Sequence, residues 1–340
     1  MIQHAAQTTR QQVGAALLSA MLTVTLVATF ASAALWQQFR GVEIETAERG
    51  RQQSSLILTG ALDWARLILR EDARSGGADH LGEPWAIPLE EARLASFLAV
   101  DGTASDIERE AFLSGSMIDM QSRLNIANLV DGGVKSEAGA ASFRRLFELL
   151  NLPPQTFTTL LENYVLASKL PSTLPPSPAS STAPASSNTS DLLQPQRVDQ
   201  LAWLGVDATT LAVLAPHVTV LPTRTPVNLN TASALVIAAS TPGLDMVDSE
   251  KLVVARARKH FTSLADARQA LGRSDIAFSE GTHSIATRYF EVTGLLRLDQ
   301  LTVSERSLVV RNGLVVSTVW RARGAAREAV PSAPLNVSRP

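Results

Sequence analysis

A long uncharged run near the N-terminus most constrains what this chain can fold into. No charged residue lies between Arg10 and Arg40, and the segment from Ala15 to Trp36 consists mainly of Leu, Val, Ala, Thr and Ser. As a helix at about 1.5 Å per residue, this segment would be roughly 33 Å long, enough to cross a hydrocarbon core of about 30 Å. Residues 15–36 are therefore predicted to form a transmembrane helix.

The residues before the run indicate how it is processed. A secretory signal peptide is cut after its apolar region, whereas here a small residue, Gly14, stands directly before it. This pattern resembles a type IV pilin-like leader, which a prepilin peptidase cuts on the cytoplasmic side of the bacterial inner membrane. The resemblance implies a leader at residues 1–14, cleavage between Gly14 and Ala15, and N-methylation of Ala15. An uncleaved signal anchor is the alternative. Both place the rest of the chain outside the cytoplasm, because Arg10 keeps the N-terminus inside.

Ser19 departs from the pilin pattern. Most pilin-like proteins carry Glu at the fifth mature position, where it pairs with the N-terminal amine of a neighbouring subunit, and here that position is Ser19. A carboxylate in lipid is costly without a partner, so a subunit with no neighbour above it would not need one. Taken by itself, Ser19 is better explained as one more small residue of a membrane helix.

Composition excludes several classes of function. The chain has 340 residues, a net charge of -2, no cysteine and five histidines. Without cysteine there are no disulfides, thiolate zinc sites or cysteine nucleophiles, and no two histidines have the i, i+4 spacing of a helical metal site. The near-neutral charge argues against a dedicated nucleic-acid binder. No nucleophile elbow or glycine-rich phosphate loop occurs. We therefore expect no enzyme activity, no catalytic residue and no cofactor.

The helix is predicted to continue beyond the membrane. From Arg40 to Leu69, apolar residues recur at roughly helical spacing with charged residues between them. This amphipathic part would lay its apolar stripe on a sheet, and the run would end at Ser75-Gly76-Gly77.

The segment from Asp79 to Trp85 allows two interpretations. Asp79, His80 and Glu83 are a possible metal or acid-base cluster. The favoured alternative is a structured turn in which Trp85 packs and Asp79 or Glu83 accepts hydrogen bonds from backbone amides.

The middle of the chain is predicted to be mainly helical. After a strand near Gly115 to Asp119, two helices separated by Pro153-Pro154 are expected, and Asp207 would cap another. Thr231 is predicted to cap a helix from Ala232 to Ser240, and further helices follow. Residues 171–191 are rich in Pro and Ser, which predicts a flexible insert.

Near the end of the chain, the spacing of apolar residues changes from that of helices to that of strands. Residues 284–298, 301–311 and 314–323 are rich in Val, Leu and Thr with polar residues between them, which predicts strands. Asn312-Gly313 lies between the last two and predicts a hairpin. Residues 324–340 are predicted to be a disordered tail.

Six segments in order resemble the type II secretion minor pseudopilin K family, also called general secretion pathway protein K. They are Gly14 before AALL, residues 79–85, IDMQSRLNIANL at 118–129, RVDQL at 197–201, LPTRTPVNLNTA at 221–232 and YFEVTG at 289–294. The resemblance implies an α+β fold with a pilin-like long helix on a small antiparallel sheet. A large all-α domain, SAM-like or helix-hairpin-helix-like, would be inserted between strands. The pilin-like domain would comprise residues 37–120 and 284–323, and the inserted domain residues 121–283.

The resemblance also implies a role and partners. The protein would cap the tip of a periplasmic pseudopilus and initiate its assembly for export of folded proteins across the outer membrane. Its partners would be minor pseudopilins I, J and H, the major pseudopilin G, prepilin peptidase and the inner-membrane secretion platform. It would be a single-pass protein of the bacterial inner membrane with its bulk in the periplasm. Calcium binding is known in the family, but no run of oxygen ligands here resembles an EF-hand, so no metal site is placed.

An alternative function comes from Val227 to Leu271, which resembles a helix-hairpin-helix DNA-binding module of competence DNA receptors. Such a module binds phosphate through backbone amides of a glycine-bearing hairpin at a helix N-terminus. Here the hairpin reads Pro242-Gly243-Leu244-Asp245, with acidic Asp245 where a second glycine would let phosphate approach. Cationic Arg256, Arg258 and Lys259 lie nearby. Because of Asp245 we expect no nucleic-acid partner and interpret the module as a protein-contact fold.

Overall fold

The computed structural model describes residues 5–94, 111–169, 193–298 and 301–325. Seven α-helices lie in these ranges: α1 Ala5–Ser75, α2 Glu137–Leu149, α3 Pro154–Lys169, α4 Ala208–Leu214, α5 Ala234–Ser240, α6 Met246–Arg258 and α7 Leu264–Leu271. Five strands form the main sheet: β1 Leu89–Arg93, β2 Ala111–Asp119, β9 Tyr289–Leu298, β10 Leu301–Asn312 and β11 Val315–Ala325. Six two-residue strands lie between β2 and β9: β3 Leu124–Asn125, β4 Val130–Asp131, β5 Val134–Lys135, β6 Val218–Thr219, β7 Val227–Asn228 and β8 His283–Ser284. The fold is α+β, as predicted.

The first helix is continuous for 71 residues, and it ends at Ser75 as predicted. Gly76 and Gly77 follow with φ of 64° and 116°, the left-handed region in which glycine ends a helix without steric cost. At about 1.5 Å per residue, a helix of this length extends roughly 105 Å. That is several times the diameter of a small domain, so most of α1 must project beyond the folded body.

The main sheet is antiparallel throughout, with strand order β1-β2-β9-β10-β11. The predicted three-strand meander at the end of the chain is confirmed, although its first strand begins at Tyr289 because Ser284 pairs with Asn228 in β7. The predicted hairpin is also present. However, Asn312 pairs with Val315, so the two turn residues are Gly313 and Leu314, with Gly313 at a φ of 58°.

The second part of α1 packs on one face of the sheet. Its stripe of Leu58, Leu62, Ala65 and Leu69 is at most 4% exposed. Two clusters form between helix and sheet, one around Leu69, Trp85 and Phe290 and the other around Leu58, Leu113 and Leu296. The predicted packing of an amphipathic stripe on a sheet is therefore confirmed.

The chain between β2 and β9 forms its own apolar core. Phe143, Leu146 and Leu160, on α2 and α3, are completely buried in it. Helices α2 and α3 flank Pro153, and Asp207 caps α4 by accepting from the amides of Thr209 and Thr210, as predicted. The described part of this segment is mainly helical, but it is not all-α, because β3 pairs with β6, β4 with β5 and β7 with β8.

Two details of the sequence prediction are wrong. The cap of α5 is Ser233, whose hydroxyl accepts from the Val236 amide, and not Thr231, whose hydroxyl donates to Asp119 instead. In addition, Gly324 lies in β11 opposite Ser304, so the first residues assigned to the tail belong to the sheet. The flexible insert at 171–191 and the rest of the tail, 326–340, lie outside the described residues.

Candidate assembly surface and its junction with the inserted segment

The N-terminal half of α1 is the largest apolar surface in the described structure. Every residue from Ala15 to Arg49 is exposed, and the span beginning at Ala15 has a mean hydropathy of 1.9 over its most apolar stretch. By length and composition it is the one described helix that could cross a membrane. The predicted transmembrane segment, residues 15–36, lies entirely in this half. An exposed apolar surface of this size must be covered by lipid or by other protein helices.

Ala15, Gly14 and Ser19 all lie within α1. Ala15 is exposed, and the Ser19 hydroxyl donates to the Ala16 carbonyl at 2.9 Å. This local hydrogen bond satisfies the serine inside an apolar environment without any partner chain. Cleavage between Gly14 and Ala15 and methylation of Ala15 stay predictions.

On the part of α1 that packs on the sheet, two faces of the helix have different surroundings. The predicted apolar stripe is covered by the protein's own sheet, at Leu58, Leu62 and neighbouring positions, so it is not free to contact another chain. The apolar side chains that point outward are Leu56, Trp64 and Leu67, which are 74%, 50% and 47% exposed. Partner contacts on this part of α1 must therefore use the outward face.

The segment between β2 and β9 leaves and rejoins the sheet through a buried carboxylate. Asp119 ends β2 and is 2% exposed. Its Oδ1 accepts from the Gln121 amide at 2.7 Å and the Thr287 hydroxyl at 2.6 Å, and its Oδ2 accepts from Asn228 Nδ2 at 3.0 Å and the Thr231 hydroxyl at 2.5 Å. Burial raises the pKa of Asp119, and these four donors lower it. The carboxylate thus joins both ends of the segment and its interior.

A second buried cluster ties this junction to the end of α1. The Arg311 guanidinium forms ion pairs with Asp72 in the last turns of α1 and with Asp79, all three being at most 11% exposed. It also donates to the Thr287 carbonyl at 2.9 Å. Asp79 Oδ2 accepts from the Thr287 amide at 2.7 Å. Burial raises the pKa of Asp79, and Thr287 and Arg311 lower it.

The Asp79 to Trp85 segment is a structured turn. Trp85 is 1% exposed, and Glu83 Oε2 accepts from the His80 amide at 2.9 Å and from Trp85 Nε1 at 2.6 Å. Burial raises the pKa of Glu83 to about 7. His80 stacks on His260, with ring centroids 3.8 Å apart, so the turn also contacts the segment between β2 and β9. The favoured interpretation of this segment is confirmed.

Three carboxylates that lie together are the candidate calcium ligands. Asp72, Asp79 and Glu83 each offer a carboxylate oxygen, and these oxygens all lie within 4.8 Å of one another. Among the described residues, this is the group of acidic or histidine side chains whose spacing could hold a metal ion. Arg311 already neutralises two of them, and two donors from the turn occupy Glu83 Oε2. A cation of charge two would have to displace a buried arginine, so these residues do not fit calcium.

At the helix-hairpin-helix-like hairpin, a backbone amide at the start of α6 donates to a side chain of the hairpin itself. Asp245 caps α6 by accepting from the Asp248 amide at 2.8 Å, and Asp248 pairs with Lys251 and Arg273. Arg256, one of the three cations noted above, donates to the Leu229 carbonyl inside the segment. The amide that a phosphate would use is thus occupied by a carboxylate, which disfavours an anion at this helix start.

Sequence reasoning found part of this site. Asp79 and Glu83 were predicted to accept backbone amides, and Asp119 lies in a segment that carried the family resemblance. Arg311, Asp72 and Thr287 were missed. They give no local signal, because Arg311 lies 239 residues from Asp72 and 24 from Thr287.

Comparisons with known proteins agree on one family. Residues 122–223 and residues 227–286 match two family models, both described as type II secretion system (T2SS), protein K. The chain is similar to the type II secretion system protein K of Pseudomonas aeruginosa, with 27% identity over 332 residues, covering 92% of this chain and 90% of that protein. Its fold is similar to a chain of the GspK-GspI-GspJ complex from the enterotoxigenic Escherichia coli type 2 secretion system. That match has a TM-score of 0.55 at 16% identity and covers 82% of this chain and 99% of that chain.

Proposed function

We propose that this chain, which belongs to the type II secretion system protein K family and is a minor pseudopilin, caps the tip of the periplasmic pseudopilus and initiates its assembly. The protein has a structural and not a catalytic role in the export of folded proteins across the outer membrane. It is held in the bacterial inner membrane by residues 15–36, with the bulk of the chain in the periplasm.

The position of the inserted segment carries this proposal. The segment leaves the sheet at Asp119 and returns at Thr287, and Arg311 connects Thr287 to Asp72 near the end of α1. The segment therefore joins the folded body at the end of α1 opposite to its apolar N-terminal half. In a filament whose subunits align their N-terminal helices, a second subunit stacked beyond this end would collide with the segment. Growth is then possible on the membrane side only.

The exposed half of α1 supports a role in assembly. Outside the membrane, residues 37–49 are all exposed in the described structure, and exposed Leu56, Trp64 and Leu67 continue the apolar surface along the helix. Apolar helices pack in pairs when neighbouring subunits supply matching faces. Minor pseudopilins I and J are the proposed neighbours, since the similar E. coli chain was solved in a complex of that composition. H would link this tip to the major pseudopilin G, and the inner-membrane platform would add further subunits.

Processing would precede assembly. We infer that prepilin peptidase cuts between Gly14 and Ala15 and that Ala15 becomes the methylated N-terminus, which removes the polar leader and keeps the apolar helix. Mass spectrometry of the membrane-extracted protein tests this directly: the N-terminal peptide should begin at methylated Ala15. A mature protein beginning beyond Trp36 would contradict both the cleavage site and the anchor.

Co-purification tests the partner proposal. The full chain, extracted in detergent from cells that also express I and J, should elute with both as one complex. Trp64→Glu, which places a charge on the outward face of α1, should reduce recovery of I and J. The matched control is Leu81→Glu, at an apolar position that is 58% exposed, against 50% for Trp64, and lies in the turn after α1. Equal recovery with both variants would contradict the assignment of the outward face.

A DNA-binding role of the competence type is not favoured by the hairpin geometry. An electrophoretic mobility-shift assay with the full chain should show no salt-dependent binding of duplex DNA.

A further inference from the structure

A cavity of about 410 Å³ lies between the main sheet and the segment inserted between β2 and β9. Its sheet wall is the face opposite to α1. Leu308 pairs in register with Glu291 and Trp320, and these three line the cavity, whereas the adjacent Val309 packs on the α1 side. The opposite wall comes from α4, β6 and the 3-10 helix Val198–Leu204.

Two buried polar atoms of the cavity lining, one on each wall, have no hydrogen-bond partner among the described residues. Thr219 is 1% exposed and its hydroxyl makes no hydrogen bond within the described structure. The indole N–H of Trp320 is likewise buried and unpaired among the described residues. An unpaired buried donor loses its hydration without compensation, so native proteins rarely keep one unless a ligand or water completes it.

Two guanidinium groups also lie at the same cavity. Arg123 and Arg306 line it, and within the described part of the chain neither forms an ion pair or side-chain hydrogen bond. Burial lowers the pKa of Arg123, and Glu291 opposes this with a larger effect than the further lowering by neighbouring Arg306. Burial also lowers the pKa of His217, and the positive charge of Arg123 adds to this. The described lining of the cavity thus carries three arginines against two acidic residues, an excess of positive charge.

The acidic residues of the cavity do not balance this excess. Asp199 lies 3.5 Å from Arg197 and is neutralised by it. Glu291 alone then faces Arg123 and Arg306, which leaves one uncompensated positive charge.

We propose that this cavity is a binding site for an organic anion, namely a carboxylate attached to an apolar group. A carboxylate would accept from the guanidinium, indole and hydroxyl donors, and charge-assisted hydrogen bonds to guanidinium are among the strongest available. The remaining walls, from Met120, Leu211 and Leu308, are apolar. The volume exceeds what an inorganic ion fills and lies within the range of about 300–1,000 Å³ typical of small-molecule sites. The carboxyl end of a polypeptide with an apolar last residue and a free aliphatic acid share this chemistry.

Isothermal titration calorimetry on the full chain in detergent, at constant ionic strength, tests the site. The probes are N-acetylleucine, hexanoate, acetate, and N-acetylleucinamide, which has the apolar group without the charge. N-acetylleucine or hexanoate should bind saturably and more tightly than acetate, and the uncharged amide should not bind. Tighter binding of N-acetylleucine indicates a polypeptide end, and tighter binding of hexanoate a free acid. Absence of saturable binding by both acids would overturn the proposal.

Variants assign the binding to this cavity. Arg123→Gln should weaken the affinity about tenfold or more, since it removes a charge-assisted hydrogen bond, while Arg258→Gln, an exposed arginine elsewhere, should leave it unchanged. Thr219→Val and Trp320→Phe remove one donor each and should weaken it about fivefold. Without ligand, Thr219→Val should unfold at a temperature equal to or above that of the wild type, because it removes an unpaired buried hydroxyl with little change of shape. Wild-type affinity in all three cavity variants would overturn the site. If Arg123→Gln does not fold, wild-type affinity in both Thr219→Val and Trp320→Phe is sufficient to overturn it.

Discussion

Thr287 donates its hydroxyl hydrogen bond to Asp119 Oδ1 at 2.6 Å, although 168 residues separate the two in the chain. Asp119 ends β2 and Thr287 lies two residues before β9, so this bond closes the loop from which the inserted segment extends. Both residues are about 98% buried. The position of the segment on the body thus depends on a small, buried polar junction in addition to apolar packing such as that of Leu221 with Tyr289 and Leu308.

The first prediction concerns this junction. Thr287→Val keeps the shape of the side chain but removes the donor, and should lower the free energy of unfolding by about 1.5–3 kcal/mol, the range for hydrogen bonds to charged groups. Asp119→Asn should lower the free energy of unfolding at least as much, because the N–H groups of the asparagine amide would face groups that are themselves donors. Thermal unfolding of the full chain in detergent measures both. Thr302→Val, a half-buried strand position away from the junction, is the control, and an equal loss there would count against the junction.

The second prediction concerns Arg311. Arg311→Met should destabilise the protein by about 3–5 kcal/mol, because it leaves Asp72 and Asp79 buried without a cation. The double variant with Asp79→Asn should recover part of this loss, since one of the stranded charges is removed. A double-mutant cycle of unfolding temperatures provides the measurement. Strictly additive effects of the two substitutions would show that the pair is not coupled.

The third prediction is a pH dependence from Glu83. Its pKa is about 7 in the folded protein and its ordinary value is 4.5, so the folded state binds the proton more tightly than the unfolded state. Stability from this group is complete below about pH 4.5 and is lost as the pH rises through about 7. Glu83→Gln mimics the protonated form. The variant and the wild type should unfold alike at pH 5, and the wild type should be less stable at pH 8 by about 1 kcal/mol, allowing for solvent screening at this half-exposed position. Parallel stability curves from pH 5 to pH 8 would refute this.

The fourth prediction separates the two faces of α1. Leu62→Ala removes a side chain that is 3% exposed and should cost about 2–5 kcal/mol, as large-to-small core substitutions do. Leu56→Ala, at a position 74% exposed, should change stability by less than about 0.5 kcal/mol. The same Leu56 variant should nevertheless recover less of I and J in co-purification. Reversal of the two stability effects would mean that the helix faces are assigned the wrong way round.

Local patterns predicted much of the fold, for identifiable reasons. The apolar run, the glycines after Ser75, the cap at Asp207 and the hairpin at Gly313 each act over a few neighbouring residues, so their signals are complete in the sequence. Strand β1 was missed because its sequence, LEEAR, lacks strand-forming side chains. It lies at the edge of the sheet, where charged residues discourage pairing with other chains.

The candidate site was less predictable. Asp119 and Arg311 act through partners far along the chain, and no spacing rule relates such positions before the chain has folded. Thr231 illustrates the ambiguity. A threonine before a helix predicts a cap, but here the Thr231 hydroxyl donates a hydrogen bond to Asp119, and Ser233 caps the helix. The packing of an amphipathic face of α1 on a sheet was predicted correctly, but the outward orientation of Leu56 and Leu67 required the structure.

The position of this protein in assembled pseudopili tests the central proposal most directly. An epitope tag placed within residues 171–191, in cells that overproduce pseudopili, can be located by immunogold electron microscopy. The proposal predicts gold at one end of each pseudopilus, the end away from the membrane. Gold distributed along the length would contradict it, because subunits would then stack beyond the inserted segment.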